Sequence, residues 1–274
     1  MRVFDLNVVR CEQVSPSFKR VVFTGGNLHD LVDPAPDQRV RLLFPLSDGR
    51  HLFIQDNAEA IQQMRLMDAI QRPPARVYTV GEWCSDKKEL SIDFVLHEPA
   101  GVASCWASQA KAGDVLQMLG VSRSKGRENT DFEWCPPVDM QHVFIFGDAT
   151  ALPAIVNILK VLQGWPVQPQ ALVWIEVPCA GDCRELAHWD GLDVCWLFGD
   201  TVRVQENGDE VANVLLKQAV YQAADQFGLE RGNASCYVWG AGESTVVSRI
   251  RRYFSEERGF SKDALSIMGY WRIR

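Results

Sequence analysis

Apolar and polar positions alternate in short runs over the first half of the chain. Residues 3–9, 18–24, 40–45, 76–80 and 90–96 each read as a strand, and Gly25-Gly26-Asn27, Asp48-Gly49 and Cys84-Ser85-Asp86 supply turns between them. Short strands at this spacing predict an antiparallel barrel or sandwich, interrupted by a weakly periodic helix over 58–70. From His142 onward the period changes. Strands over 143–146, 171–177, 193–198 and 235–239 are interleaved with helices over 152–163, 209–227 and 243–257, the βαβ alternation of a parallel sheet with covering helices. The adjacent prolines of Trp134-Cys135-Pro136-Pro137 forbid regular structure and mark a linker. The chain therefore reads as two domains, 1–136 and 137–274, which suits 274 residues at roughly 150 per domain.

Composition narrows the function classes. With 28 Lys+Arg against 35 Asp+Glu the formal charge is −7, which argues against a dominant basic surface for nucleic acid. Residues 142–162 are mostly apolar over a membrane-spanning length, but Gly147-Asp148-Ala149-Thr150 is a turn and Pro153 suits a first helical turn, so strand, turn and helix are expected rather than a membrane span. The eight cysteines show no C-x2-C pair; Cys179 and Cys183 come nearest to a ligand pair, and nothing downstream completes it. Buried or incidental thiols in a reducing cytoplasm are the simplest expectation, and the N-terminal residues carry no signal-peptide core.

Several segments carry chemistry. In Arg76-Val77-Tyr78-Thr79 strand alternation puts Arg76 and Tyr78 on one face, where a guanidinium can pair a pyrophosphate and a phenol ring can pack on a flat heterocycle; a surface arginine beside a half-buried tyrosine is the plainer alternative. In 95–107 a strand runs through Val95 and His97 into a glycine-containing turn and a helix with small residues at its start. That is either an anion cradle, with backbone N–H groups and the helix dipole favouring phosphate, or a close-packed corner. Gly147-Asp148-Ala149-Thr150-Ala151-Leu152-Pro153-Ala154 closes the first strand of the second domain, and Tyr237-Val238-Trp239-Gly240-Ala241-Gly242-Glu243-Ser244 repeats the arrangement. Neither is the G-x-G-x-x-G fingerprint, yet both sit where ligands bind in open α/β sheets. Gly269-Tyr270-Trp271-Arg272 places an aromatic pair and a cation near the C-terminus.

Taken in order, these segments resemble the siderophore-interacting protein family of NAD(P)H-dependent flavoprotein ferric-siderophore reductases, related in fold to ferredoxin–NADP reductases. The resemblance runs through Arg76-x-Tyr78-Thr79, His97, Ala103-Ser104-x-Trp106-Ala107, Ala110-x-x-Gly113-Asp114, the Gly147 to Ala154 stretch, Trp239-x-Ala241-Gly242-Glu243 and the Gly269 to Arg272 motif. It implies a six-stranded antiparallel FAD-binding barrel followed by an α/β NAD(P)H-binding domain. It further implies that Arg76, Tyr78 and Thr79 hold the flavin, that Val95 and His97 line its ring or ribityl edge, and that Val102, Ala103, Ser104 and Trp106 serve the pyrophosphate and adenine side. Thr150, Ala151, Ala241, Gly242 and Glu243 would shape the nicotinamide crevice. The chain departs from the family where Gly120-Val121-Ser122-Arg123 replaces a frequent Gly-Pro-x-Gly and where Ala149 replaces a commonly acidic residue.

The implied chemistry needs no side-chain nucleophile and no resident metal. An anionic ferric siderophore would have to meet a local basic pocket in an acidic protein. Arg123, Lys125 and Arg272 are the substrate candidates, with Arg127 and Arg274 nearby, while Arg249, Arg251 and Arg252 read as a solvated helical face. Glu176 at the end of the second sheet strand could accept from a ribose hydroxyl and favour NADH, with Arg184 pulling toward NADPH. A cytoplasmic monomer without membrane insertion is expected. The rivals are a general flavin or ferredoxin-type reductase and a non-catalytic siderophore-binding protein.

Overall fold

The computed structural model describes residues 1–97, 100–124, 131–199, 204–206, 209–211, 213–226 and 235–273. Lys125, Arg127 and Arg274 lie outside them. The chain divides into two compact units, Met1–Phe132 and Glu133–Arg274.

The first unit is an antiparallel sheet with two helices. Its elements are β1 (Arg2–Ser15), β2 (Phe18–Thr24), β3 (Arg39–Leu43), α1 (Ala58–Leu66), β4 (Ala75–Thr79), β5 (Trp83–Cys84), β6 (Glu89–Val95), α2 (Val102–Gln109) and β7 (Val115–Gly120). The strand order is β4-β3-β7-β1-β2-β6-β5, seven strands in an open ladder where six in a barrel are expected. The extra strand is the two-residue β5, which pairs only with β6. The sheet nevertheless curls back on itself. β1 pairs with β7 through Asn7 and with β2 from Asn7 onward, with a register shift between Val8 and Arg10, so one long strand bends across two partners. Just past β4, Gly81 N donates to Ser91 O at 2.9 Å and Ser91 N to Glu82 O at 2.8 Å, which links the two ends of the sheet. A Cβ at Gly81 would stand 2.6 Å from the Ser91 hydroxyl, so only glycine permits this approach. Inside lie Phe4, Leu6, Phe23, Leu42, Leu90, Ile92, Phe94 and Met118, closed by Ala103 and Ala107 of α2.

A polar knot fixes the chain that leaves β7. The buried Asp30 carboxylate accepts from Arg2 and from the hydroxyls of Ser122 and Ser124, and takes the Ser124 backbone N–H at 2.9 Å. Burial pushes this carboxyl group up, but the hydrogen bonds from Ser122, Ser124 and Arg2 outweigh it and hold it well below the usual carboxylate range.

The second unit comprises β8 (His142–Asp148), α3 (Leu152–Gln163), β9 (Gln170–Val177), β10 (Leu192–Phe198), β11 (Val204–Glu206), β12 (Asp209–Val211), α4 (Val214–Gln226), β13 (Cys236–Glu243), α5 (Ser244–Arg252) and β14 (Leu265–Trp271). A five-stranded sheet runs β10-β9-β8-β13-β14 with every pair parallel, and β11 and β12 form a separate hairpin. α3 matches its sequence expectation residue for residue, with Pro153 in its first turn and Leu152, Ile155, Ile158, Leu159 and Leu162 buried. The apolar stretch 142–162 is thus a core strand and its helix, and no helix among the described residues is long and apolar enough to cross a membrane. α4 starts at Val214 and not at the expected 209, because residues 209–211 pair with β11 as a strand and Asn213 then takes a left-handed conformation, φ 53°, outside the helical region. α5 ends at Arg252 and passes into a π-helical turn over Tyr253–Glu257.

Asp30→Asn should cost the first unit about 2 kcal/mol at neutral pH, since a charged acceptor of several donors is replaced by an amide. The carboxyl is more acidic folded than unfolded, so its contribution is full above the ordinary carboxylate value and is lost as pH falls through its folded one. Urea denaturation of both proteins at pH 7 and near pH 3 should therefore show the gap shrinking in acid; an equal gap at both values would contradict the assignment.

Candidate functional site

Two clusters emerge, one in each unit. In the first, β4 lies antiparallel to β3 and carries Arg76, Tyr78 and Thr79. The Tyr78 ring stands 4.6 Å from that of Phe94 in β6, and Phe94 stands 5.8 Å from Trp106 in α2. Trp106 also stacks on Phe23 at 6.2 Å and meets Phe44 edge-on at 5.9 Å. The half-buried ring thus packs against the core and holds α2 against the sheet. Burial pushes the Tyr78 phenol up, with the Arg76 charge opposing. Arg76 is exposed and donates only to the neighbouring Ala75 carbonyl, at 2.9 Å, among the described contacts.

Thr79 is the most informative residue here: it is buried, and its Oγ1 finds no hydrogen-bond partner among the described residues. A buried hydroxyl is ordinarily paired, and this one, like Trp83 Nε1 and Asn213 Oδ1, is left open to a ligand atom or a water. β6 ends at Val95, and two residues on His97 donates its backbone N–H to Ser104 Oγ at 3.2 Å, which draws the strand end to the first turn of α2. That turn begins at Gly101 with no side-chain cap and no acidic residue, and Val102 is exposed there while Ala103 and Ser104 are buried. The unit thus offers uncapped helix N–H groups on α2 and, on β4, an exposed guanidinium and an unpaired hydroxyl, donors of the kind a phosphate-bearing cofactor takes.

In the second unit the strand order reverses between β8 and β13, the switch point at which open α/β sheets bind ligands beyond the carboxyl ends. Thr150, Ala151, Ala241, Gly242 and Glu243 all lie at those ends. Three neighbouring strands close on buried acids: Asp148 on β8, Glu176 on β9 and Glu243 on β13. Glu243 accepts from the N–H groups of Thr245 at 2.7 Å and Val246 at 3.1 Å and so caps α5. Asp148 Oδ1 accepts from Thr150 N at 2.8 Å and Thr150 Oγ1 at 2.6 Å, and its Oδ2 from Trp271 Nε1 at 2.7 Å. Burial pushes the Asp148 carboxyl up, and the bonds from Thr150 and Trp271 oppose that. Ala151 and Ala241 are fully buried, so they shape this edge from beneath.

One expectation is overturned. Glu176 does not face a ribose, because its Oε1 accepts from Asn213 Nδ2 at 3.0 Å and its Oε2 from Leu216 N at 2.8 Å. It caps α4 and is removed from coenzyme selection. Of the substrate candidates, Arg123 is ion-paired with Asp33 and Arg272 is exposed. Sequence reasoning misses the Asp148–Trp271 bond. Asp148 reads as a turn residue, and nothing local signals a partner 123 residues away.

The comparisons agree with this architecture. A family described as "Siderophore-interacting FAD-binding domain" matches residues 7–124, and one described as "Siderophore-interacting protein" matches residues 140–274. An NADPH-dependent ferric-chelate reductase of Escherichia coli (strain K12) is 28% identical over 274 residues, all of this chain and 94% of that protein. The ferric vibriobactin reductase ViuB of Vibrio cholerae is 26% identical, covering 97% of this chain and 88% of its own length. Among solved structures, a siderophore utilization protein from T. fusca superposes with TM-score 0.75 at 25% identity, over 98% of this chain and 92% of that one. A ferredoxin-NADP+ reductase from Plasmodium falciparum shares the fold alone, with TM-score 0.61 at 11% identity, over 98% of this chain and 96% of that one. With one such match on each of its two units, the chain belongs to the siderophore-interacting protein family.

Proposed function

We propose that this protein is a ferric-siderophore reductase that carries electrons from NAD(P)H through FAD to a ferric siderophore and so frees ferrous iron. Relatives that match over nearly their whole length are named ferric-chelate and ferric vibriobactin reductases. The observation that carries the reading within this chain is the unpaired Thr79 hydroxyl, on the unit that also bears the exposed Arg76 and the uncapped start of α2 and that matches an FAD-binding domain.

These residues fit FAD. Arg76 and the N–H groups of Val102, Ala103 and Ser104 would neutralise its pyrophosphate, Thr79 would donate to it, and the Tyr78 ring would pack on its flat system. Val95 and His97 would line its ring or ribityl edge, and Trp106, half-buried on α2, would serve the adenine side. When bound, FAD supplies the conversion of a two-electron hydride donor into single electrons. Thr150, Gly242 and the α5 start capped by Glu243 would receive the nicotinamide coenzyme at the switch point. Arg272, Arg123 and Lys125 would attract the anionic substrate. Ferrous iron binds hard oxygen ligands less strongly than ferric iron does, so reduction loosens the chelate. We place the activity in the cytoplasm, in a monomer. Coenzyme choice rests on residues other than Glu176.

The purified protein should be yellow, bleach anaerobically with NAD(P)H and regain its colour on adding a ferric siderophore. A colourless protein that binds no added FAD would overturn the reading. Thr79→Val should weaken FAD binding about tenfold, the worth of one hydrogen bond, while leaving the apoprotein at least as stable because an unpaired buried hydroxyl is gone. Flavin fluorescence titration and thermal unfolding of the apoprotein measure the two effects. Arg272→Glu should raise KM for an anionic ferric siderophore severalfold at unchanged flavin content, an effect that fades with added salt. Steady-state kinetics at two ionic strengths would remove Arg272 from the substrate site if KM stayed at the parent value.

A further inference from the structure

Of the three buried acids at the carboxyl edge of the second sheet, Asp148 is used differently from the others. Glu176 and Glu243 accept from the chain that leads into the helix they cap. Asp148 accepts on one oxygen from Thr150 in its own turn and on the other from the indole N–H of Trp271 at the end of β14. β14 is not a neighbour of β8 in the sheet, since β13 lies between them. The bond therefore passes over the end of β13. A Cβ on Gly242 would come 3.0 Å from Asp148 Oδ2, so glycine leaves room for the carboxylate to reach across. Trp271 is held a second time through its backbone, because Ser244 Oγ donates to Trp271 O at 2.7 Å. A Cβ on Gly269 would stand 2.4 Å from that same Ser244 hydroxyl. Ring and main chain of Trp271 are thus both tied to the switch-point turns.

We propose that Asp148 is a positioning residue of the reductase: by accepting from Thr150 and from Trp271 Nε1 at once, it locks the C-terminal indole to the turn after β8 and fixes the wall against which the nicotinamide coenzyme docks. The proposal rests on the reductase reading of the preceding subsection. A carboxylate suits the task because it accepts at both oxygens, whereas an amide must present a donor at one end. An asparagine in its place keeps its one acceptor oxygen for the two donors of Thr150 and so turns its amide N–H groups toward Trp271 Nε1, which loses its acceptor.

Asp148→Asn should slow single-turnover flavin reduction by NAD(P)H about tenfold, the equivalent of one lost hydrogen bond, at unchanged flavin content. Oxidation of the chemically reduced protein by a ferric chelate should stay within about twofold of the parent rate, far less than one hydrogen bond is worth, a split that general unfolding does not produce. Trp271→Phe keeps an aromatic ring and removes the donor, so it should show the same slowing. The double variant should be no slower than the slower single one, because the two residues act through one bond.

Indole 15N–1H spectra give a readout independent of turnover. The resonance lost in Trp271→Phe identifies Trp271 among the nine tryptophans, and it should move upfield in Asp148→Asn as the hydrogen bond weakens. An unmoved resonance would overturn the clamp. A shifted resonance with flavin reduction at the parent rate, or a double variant slowed about a hundredfold as two independent losses would require, would overturn its positioning role. A parent protein that neither coenzyme bleaches would defeat the reductase reading and that role together, while the indole shift would still report the clamp.

Discussion

Buried carboxylates have to be matched by donors, and the carboxyl edge of the parallel sheet is organised around that requirement. Asp148, Glu176 and Glu243 end three adjacent strands, and each is buried. An unpaired carboxylate in such a place would cost several kcal/mol, so the turns that follow must bring N–H groups to it. The starts of α4 and α5 and the turn before α3 are therefore set by acids, and with them the shape of the switch point. Burial also pushes Asp148 and Glu176 up, and the charge of Asp148 adds to the effect on Glu176. Their hydrogen bonds are what allow two acids to stand side by side on β8 and β9.

The first unit solves the opposite problem. Where the second unit pairs its three edge acids, the first leaves donors open: the start of α2 has no side-chain cap, Arg76 projects into solvent, and the Thr79 hydroxyl lacks a partner among the described residues. An aromatic chain of Tyr78, Phe94 and Trp106 holds these groups in register from beneath. The cross-strand pair of Arg20 and buried Asp93 ties β2 to β6, with Nε to Oδ1 at 2.7 Å and Nη2 to Oδ2 at 3.1 Å. Open donors on a rigid floor suit an anionic cofactor.

What can be read from residues alone follows what is local. α3 is legible to the residue because its apolar spacing, Pro153 and flanking turns are all encoded within it. Most strands of both units are legible from their apolar runs, while the short β5, β11 and β12 and the strands β7 and β14 beside glycine motifs are not. The hydrophobic pattern starts α4 too early because the left-handed Asn213 leaves no mark in it. Glu176 is rightly placed at a strand end and given the wrong partner, since the sequence does not say that the N–H of Leu216 arrives there. The family resemblance supplies residue roles that spacing does not, and the long-range bond from Trp271 to Asp148 is beyond both.

What sets this chain to work is the passage of single electrons from one nicotinamide donor to ferric iron. Its most direct measure is stoichiometry under anaerobic conditions, with a ferrous chelator trapping the product. A hydride carries two electrons and each ferric ion accepts one, so about two ferrous ions should be trapped per NAD(P)H oxidised, at a rate that depends on bound FAD. Coenzyme oxidation without trapped ferrous iron would show that the electrons end on another acceptor and that the chain is no ferric reductase.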